Sequence, residues 1–283
     1  MRKFFLPALL VSLGFASWTL AWWVKGHGTI TEAAASRLPE GVPQFFRSAG
    51  KQLAHLSGDP DRWKNKGARH LNAAEAPNHY VDLEDFGDNA LPADRYQAGA
   101  LLMELNQRPE RTGMLPYAIM EDFDRLSVAF YDYRADADNE AIRMKCIVYA
   151  GNLAHFTGDA AMPLHTTRNY DGKPGPDGEL VQKGIHAKID GFPEKFGLTA
   201  EEIGRGLEPT KIDDMWGHVM KRIRESHKHI DRCYELDVAG AFDKPTVESR
   251  AFILERCRTA AQFTLDVWYT AWLRSADMQG PHY

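Results

Sequence analysis

Apolar residues recur at steps of three and four along several long stretches of the chain, which is the period of an amphipathic helix. The clearest stretch runs from 250 to 272, and the segment 140–160 repeats the pattern until Pro163 ends it. Shorter stretches predict helices at 29–37, 43–56, 92–106, 115–133 and 213–234. No run alternates cleanly with a period of two, and 169–184 is a Gly-, Pro- and Asp-rich loop. The pattern predicts an all-α fold in a single-domain multi-helix bundle.

The N-terminal segment differs from the rest and is typical of an export signal. Arg2 and Lys3 precede the apolar stretch 4–18, and Thr19-Leu20-Ala21 places small residues at the positions a signal peptidase requires. We expect residues 1–21 to be a signal peptide cleaved after Ala21, and 22–283 to be the mature domain. The apolar stretch is short for a membrane span, although an uncleaved anchor is the alternative. The mature protein is predicted to be periplasmic or secreted and not to span a membrane.

Composition narrows the functional classes. The 283 residues carry a formal net charge of −5, so no basic surface indicates nucleic-acid binding. No feature implies a stable protein partner.

Of the three cysteines, Cys146 lies on an apolar helical stripe and is predicted to be a buried thiol, whereas Cys233 and Cys257 could pair after export.

Candidate chemistry concentrates in one short region of the chain. His155 and Asp159 are four residues apart, His186 and Asp190 repeat that spacing, and His165 lies between them. Residues i and i+4 share one face of a helix, so each pair could bind one metal ion. Imidazole and carboxylate ligands suit zinc or another first-row metal. Spacing alone leaves a dimetal oxygenase, a metal-storage bundle and a hydrolase open.

Several motifs, in order, resemble the superfamily of zinc-dependent phospholipases C and fungal-type single-strand nucleases. The segment 153–165 is similar to its core signature, H-[FY]-x-G-D followed by P-[LM]-H. The segment 184–190 resembles the next motif, 78–82 matches the early H-[FY]-x-D motif, and 60–64 resembles the segment that supplies a first aspartate. The resemblance covers essentially the whole mature chain and implies a helical fold around a trinuclear zinc cleft.

The resemblance also implies a set of ligands for each of three zinc ions. The first ion would take Asp61, His79, His155 and Asp159; the second would take His165, His186 and Asp190; the third would take the amine and carbonyl of an N-terminal Trp22 together with His27, with Asp159 bridging to the first. Asp61 is preferred to Asp59 because Lys64 completes the pattern Asp-x-x-basic. In the reaction so implied, Asp61 orients or deprotonates water and Lys64 stabilises phosphoryl charge.

The sequence leaves the phosphodiester substrate open between a phospholipid headgroup and single-stranded nucleic acid. The lack of a Gly-Gly-Asn segment after His165 and the form of Gly184-Ile-His-Ala-Lys favour a phospholipase C-like hydrolase by a narrow margin. The alternatives are a single-strand-preferring endonuclease and 3′-nucleotidase, and a non-catalytic zinc-binding helical protein. Tyr80 and Trp63 could stack a base, border a headgroup or pack in the core. The long segment 87–115 could form a lid or a substrate-selecting wall.

Overall fold

In the computed structural model, which describes residues 22–280, the chain is all-helical apart from one short hairpin. The α-helices are α1 (Val24–Ala35), α2 (Gln44–Arg47), α3 (Gly50–Leu56), α4 (Asp59–Trp63), α5 (Arg69–Glu75), α6 (Arg95–Glu104), α7 (Pro109–Thr112), α8 (Leu115–Ala135), α9 (Glu140–Ala160), α10 (Ile185–Lys195), α11 (Ala200–Gly204), α12 (Met215–His227), α13 (Ile230–Val238) and α14 (Val247–Arg274). Short 3-10 helices span Ala76–His79, Leu83–Phe86 and Pro163–Thr166. The antiparallel strands β1 (Lys173–Pro174) and β2 (Leu180–Val181) lie in the predicted 169–184 loop. The all-α prediction is confirmed.

Helix α9 is the centre of the bundle, and local sequence explains its bounds. The Asn139 side chain accepts hydrogen bonds from the Ala141 and Ile142 N–H groups, which caps the N-terminus. Helices α1, α3, α8 and α14 all pack against α9. Gly151 permits the close approach of α3, because a Cβ atom there would lie 2.5 Å from Leu56 Cβ. The two C-terminal turns of α9 are thereby buried inside the bundle, where they carry His155 and Asp159.

Two of the predicted helices are each divided in the structure. The stretch 43–56 forms α2 and α3, which are separated at Ser48 and Ala49, and 213–234 forms α12 and α13, which are separated at Lys228 and His229. On both sides of each break, the short helices bury apolar residues in the common core. Periodicity alone does not reveal such a break, because the apolar spacing is nearly continuous across it.

The cysteines do not cross-link the bundle. Cys146 is buried as predicted, but the pairing of Cys233 with Cys257 is wrong, since all three thiols are free and buried. Cys233 on α13 and Cys257 on α14 are both fully enclosed in the hydrophobic core. Burial raises the pKa of each thiol well above its ordinary value, so both remain protonated and behave as small apolar side chains.

The export signal predicted for 1–21 lies outside the described residues, and so do the cleavage site and the last three positions. Across 22–280, no helix combines the length and the apolar character needed to cross a bilayer.

Candidate metal centre

Eight of the nine predicted metal ligands are brought together by six separate elements. They are His27 on α1, Asp61 on α4, His79 at the end of one 3-10 helix, His155 and Asp159 on α9, His165 on another 3-10 helix, and His186 and Asp190 on α10. All eight are buried, with at most 7% of each residue exposed. Burying so many ionisable groups is costly unless they pair with one another or with metal ions. The two i, i+4 pairs are therefore part of a larger buried cluster, whose members come from residues 27–190 of the chain.

Three groups of ligand atoms within this cluster are compact enough to bind an ion each. Within each group, the candidate ligand atoms all lie within 4.8 Å of one another. The groups are His27 with His155 and Asp159, Asp61 with His79 and His155, and His165 with His186 and Asp190. The third group is the ligand set predicted for the second ion, and the second group contains three of the four ligands predicted for the first ion. The first group contains the His27–Asp159 part of the set predicted for the third ion, together with His155, which it shares with the second group.

Asp159 lies at the centre of the cluster, and its two oxygen atoms face different groups. Oδ2 is 3.1 Å from His79 Nδ1 and 3.2 Å from His155 Nε2. Oδ1 is 3.3 Å from His27 Nε2 and 3.5 Å from His165 Nδ1. A carboxylate in this arrangement can bridge two metal ions, one on each oxygen.

Backbone carbonyls orient two of the imidazoles. His155 Nδ1 lies 2.7 Å from the Ser57 carbonyl oxygen, and His165 Nδ1 lies 2.6 Å from the His79 carbonyl oxygen. In each case a protonated Nδ1 donates to the carbonyl, which leaves Nε2 as the ring atom available to bind a metal ion. This is the arrangement that supports metal-binding histidines in proteins.

The residues also fit metal ions in a second respect, because several buried ligand atoms that face the cluster lack a hydrogen-bond partner. Among the described residues, these atoms are His27 Nε2, Asp159 Oδ1 and both carboxylate oxygens of Asp190. Orphaned buried polar atoms are rare in proteins and call for an explanation such as a bound ion or water. Their concentration in one cluster of histidines and aspartates is what a metal centre requires.

Trp22, the remaining predicted ligand, lies against the same cluster. Its side chain is fully buried, and its indole N–H donates to the Gly158 carbonyl oxygen at 3.2 Å. The following residue, Trp23, donates its backbone N–H to the Asp190 carbonyl oxygen at 3.3 Å. Gly158 allows this approach of α1 to α9, since a Cβ there would lie 2.9 Å from His27 Nδ1. Ligation by an amine and carbonyl of Trp22 stays a prediction, but its backbone lies beside the predicted ligands.

Asp61 and Asp59 have different environments. Asp61 Oδ1 is 3.8 Å from both His79 Nδ1 and His155 Nε2, and it is 2.6 Å from Lys64 Nζ. Asp59 is more exposed and pairs with Arg62 at 2.5 Å. The structure thus brings Asp61, and not Asp59, to the cluster, with Lys64 as its cationic neighbour.

The pKa values of the buried carboxyl groups of Asp159 and Asp190 are shifted in opposite directions. Burial opposes ionisation of Asp159, but the neighbouring His155 and His165 outweigh it and hold the pKa of that carboxyl well below its ordinary value. Burial, followed by the negative charges of Asp159 and Asp61, raises the pKa of Asp190 well above its ordinary value. The metal-free cluster thus disfavours negative charge at Asp190, and positive ions would remove that penalty.

The buried imidazole of His79 gives the metal-free protein a pH-dependent stability. Burial, followed by the charge of Lys64, lowers the pKa of His79 from 6.5 to about 3. Between these two values the unfolded chain binds a proton here that the folded chain does not, so stability falls as the pH falls. In EDTA, we expect the free energy of unfolding in urea to decrease across the upper part of this interval, and to decrease less in His79→Gln. The exposed His70→Gln is the control, and equal slopes for wild type and His79→Gln would contradict the assignment.

A cleft of about 420 Å³ opens beside the metal cluster. It is lined by Lys64, Ala76, His79, Tyr80, Asp82, Arg111, Leu164, His165, Thr167, Tyr170 and His186. Tyr80, expected from its sequence position to lie near the site, is among these residues. Trp63 instead lines a neighbouring cavity of about 250 Å³, together with Tyr149 and Phe156.

The segment 87–115 contributes Arg111 to the lining of this cleft, and backbone hydrogen bonds attach the segment to the chain around His79. The attaching hydrogen bonds run from the Met114 N–H to the Pro77 carbonyl (2.6 Å), from the Leu115 N–H to the Tyr80 carbonyl (3.1 Å) and from the Asp82 N–H to the Thr112 carbonyl (2.7 Å). Gly113 has a φ of +90°, and a Cβ there would lie 2.1 Å from the Tyr80 carbonyl oxygen, so only glycine fits. These contacts favour the wall over the lid.

Sequence reasoning missed Arg111, Thr167 and Tyr170 as cleft residues. Arg111 is an exposed residue of α7, and Thr167 and Tyr170 lie beyond a 3-10 helix in irregular chain. None has the helical spacing that identified the histidine–aspartate pairs. The one available signal was the closeness of Thr167 and Tyr170 in sequence to His165.

Comparison with known proteins yields distant structural similarities only. The alpha-toxin of Clostridium perfringens from avian strain SWCP is 14% identical to this chain, with a TM-score of 0.46. The alpha toxin of Clostridium absonum is 12% identical, with a TM-score of 0.47. Each similarity covers 90% of this chain and 63% of the toxin, so the chain spans less than two thirds of the toxins' length. No family model and no curated protein sequence matches the chain.

Proposed function

We propose that this protein is a zinc-dependent phosphodiester hydrolase, phospholipase C-like by a narrow margin. The observation that carries the proposal is the convergence of eight buried histidines and aspartates, in three compact groups, beside an open cleft that His79, His165 and His186 line. Imidazole and carboxylate ligands favour zinc. Three ions would require the ligand sets given above, with Asp159 between two of them.

When bound, the zinc ions would supply an acidified water molecule and positive charge for the phosphate oxygens. The protein's own groups account for the remaining requirements. Asp61 lies within 3.8 Å of two candidate ligands and can orient the attacking water or accept its proton. Lys64, which lines the cleft and is held by Asp61, can stabilise negative charge on the phosphoryl oxygens.

The dimensions of the cleft are suited to a small part of a larger substrate. A volume of about 420 Å³ is within the range of small-molecule sites and is large enough for a phospholipid headgroup or a nucleotide. The phospholipase C-like assignment draws its support from the Gly184-Ile-His-Ala-Lys segment and the missing Gly-Gly-Asn segment. Tyr80 and Tyr170 on the cleft wall favour the second candidate, a single-strand nuclease, because tyrosine rings can stack bases. A non-catalytic zinc-binding protein would need no open cleft beside its metal ligands.

An assay panel on the purified, processed protein tests the proposal. We expect EDTA-sensitive hydrolysis, restored by zinc, of phosphatidylcholine, or of single-stranded DNA and RNA if the second candidate is correct. About three zinc ions per chain are expected from the ligand sets and from two-metal chemistry, and N-terminal sequencing should begin Trp22-Trp23-Val24. Zinc binding without hydrolysis of any of the substrates would support the non-catalytic alternative.

A further inference from the structure

One cation on the cleft wall is not used by the metal cluster or by the reaction described above. Arg111 lines the cleft from helix α7, in the segment 87–115. Its positive charge is close enough to Tyr80 to lower the pKa of that phenol, although the larger effect of burial raises it to about 12. Arg111 is thus exposed to the cleft and adjacent to the aromatic ring that forms its wall.

Two carboxylates near Arg111 in the chain or in space are paired with other cations, while Asp82 lines the same cleft. Glu110, the preceding residue, accepts a hydrogen bond from Arg108 Nε at 2.6 Å. Asp85 pairs with Arg168 at 2.5 Å. Within residues 22–280, no carboxylate forms an ion pair with the Arg111 guanidinium, and no carbonyl accepts a hydrogen bond from it. All five of its N–H donors are therefore available to a ligand.

Hydrogen bonds hold the backbone around Arg111 in place. Its N–H donates to the Arg108 carbonyl at 2.8 Å, and the following Thr112 donates its hydroxyl to Asp85 Oδ2 at 2.9 Å. The three backbone bonds described above attach the same segment to the chain around His79. The Cα atom of Arg111 therefore has a fixed position relative to the metal ligands, as a residue that selects substrates requires.

We propose that Arg111 binds a second phosphate group of the substrate, distinct from the phosphodiester that is cleaved. The inference rests on the proposed function, in which the cleaved phosphodiester lies against the metal ligands and Lys64. A guanidinium forms paired hydrogen bonds with phosphate, and it is always charged. The wall segment would thus make the enzyme selective for substrates that carry a phosphate beyond the scissile one.

Two matched pairs of substrates test this selectivity. One pair is short-chain phosphatidylinositol and its 4-phosphate, and the other is thymidylyl-thymidine without and with a 5′-phosphate. In the wild type, we expect the member with the extra phosphate to have a kcat/KM about tenfold higher in the pair that is hydrolysed, from one charge-assisted bidentate contact. In Arg111→Ala, KM for that member should rise until the preference disappears, with kcat unchanged, and Arg111→Lys should restore part of it.

The control is Arg224→Ala, which removes an exposed cation on α12 that does not line the cleft. This variant should leave the ratio of kcat/KM values within each substrate pair unchanged. A wild-type ratio near one, or an equal loss on both members in Arg111→Ala, overturns the inference. Calorimetric measurement of the binding of the same four compounds tests the inference about Arg111 separately from the proposed function. If nothing is hydrolysed, the proposed function fails, and the inference stands or falls on whether the extra phosphate strengthens binding only when Arg111 is present.

Discussion

Asp159→Asn is expected to reduce zinc content from about three ions to about one per chain and to lower kcat/KM at least a thousandfold, because a metal ion supplies several kcal/mol of transition-state stabilisation. The physical reason is the position of this carboxylate, whose two oxygens face different candidate ligand groups at 3.1 to 3.5 Å. Asparagine keeps the shape but removes the charge and replaces one ligand oxygen by an N–H donor. Metal analysis and steady-state kinetics provide the measurements.

The matched control is Asp266→Asn on α14. Asp266 is also buried, but it accepts hydrogen bonds from the Thr210 N–H and from Gln262, both remote from the cleft. This variant should keep the wild-type zinc content and activity, whatever its effect on stability. Full zinc loading and normal turnover in Asp159→Asn would show that this carboxylate bridges no ions.

Asp61→Asn is expected to abolish turnover while the fold is retained. Asp61 is 4% exposed and is the carboxylate nearest Lys64, and the loss of a group that orients or deprotonates water costs about 10²- to 10⁴-fold in rate. Burial opposes ionisation here, but His155 and Lys64 outweigh it and lower the pKa of Asp61, so the group is anionic and able to accept a proton. Circular dichroism and thermal unfolding would check the fold, and single-turnover kinetics would measure the chemical step.

Asp59→Asn is an unusually close control for that variant, because it makes the same substitution two residues away on the same short helix. Asp59 pairs with Arg62 at the surface, where an ion pair contributes little to stability. Its replacement should leave kcat near the wild-type value. Near-normal activity in Asp61→Asn, or an equal loss in Asp59→Asn, would remove Asp61 from the proposed reaction.

Local sequence predicted those parts of the fold that local forces determine. Helix α9 begins and ends where its apolar period, the Asn139 cap and Pro163 place it. The breaks at Ser48 and at Lys228 were not predicted, because they arise from packing between segments distant in sequence. The free thiols of Cys233 and Cys257 have the same cause, since only tertiary packing shows that each is enclosed in the core.

The same distinction between local sequence and tertiary packing applies to the residues of the candidate site. The i, i+4 rule was sufficient to predict that His155 and Asp159 share a helical face, and that His186 and Asp190 do so too. It could not bring His27 to Asp159, which depends on α1 packing against α9; only the family resemblance suggested that contact. Neither approach predicted Arg111, because an exposed arginine has no periodic signal and the segment 87–115 is longer than the resemblance leads one to expect.

The distribution of the predicted ligands over six elements has a consequence for how the chain holds together. Metal ions bound there would act as cross-links that close long loops between residues 27 and 190, and the entropy of loop closure would be removed from the unfolded state as it is by a disulfide. The chain has no disulfide to do this, since its three thiols are free. Loss of zinc and global unfolding should then be coupled in one cooperative transition, so that the midpoint of thermal unfolding rises with the concentration of free zinc.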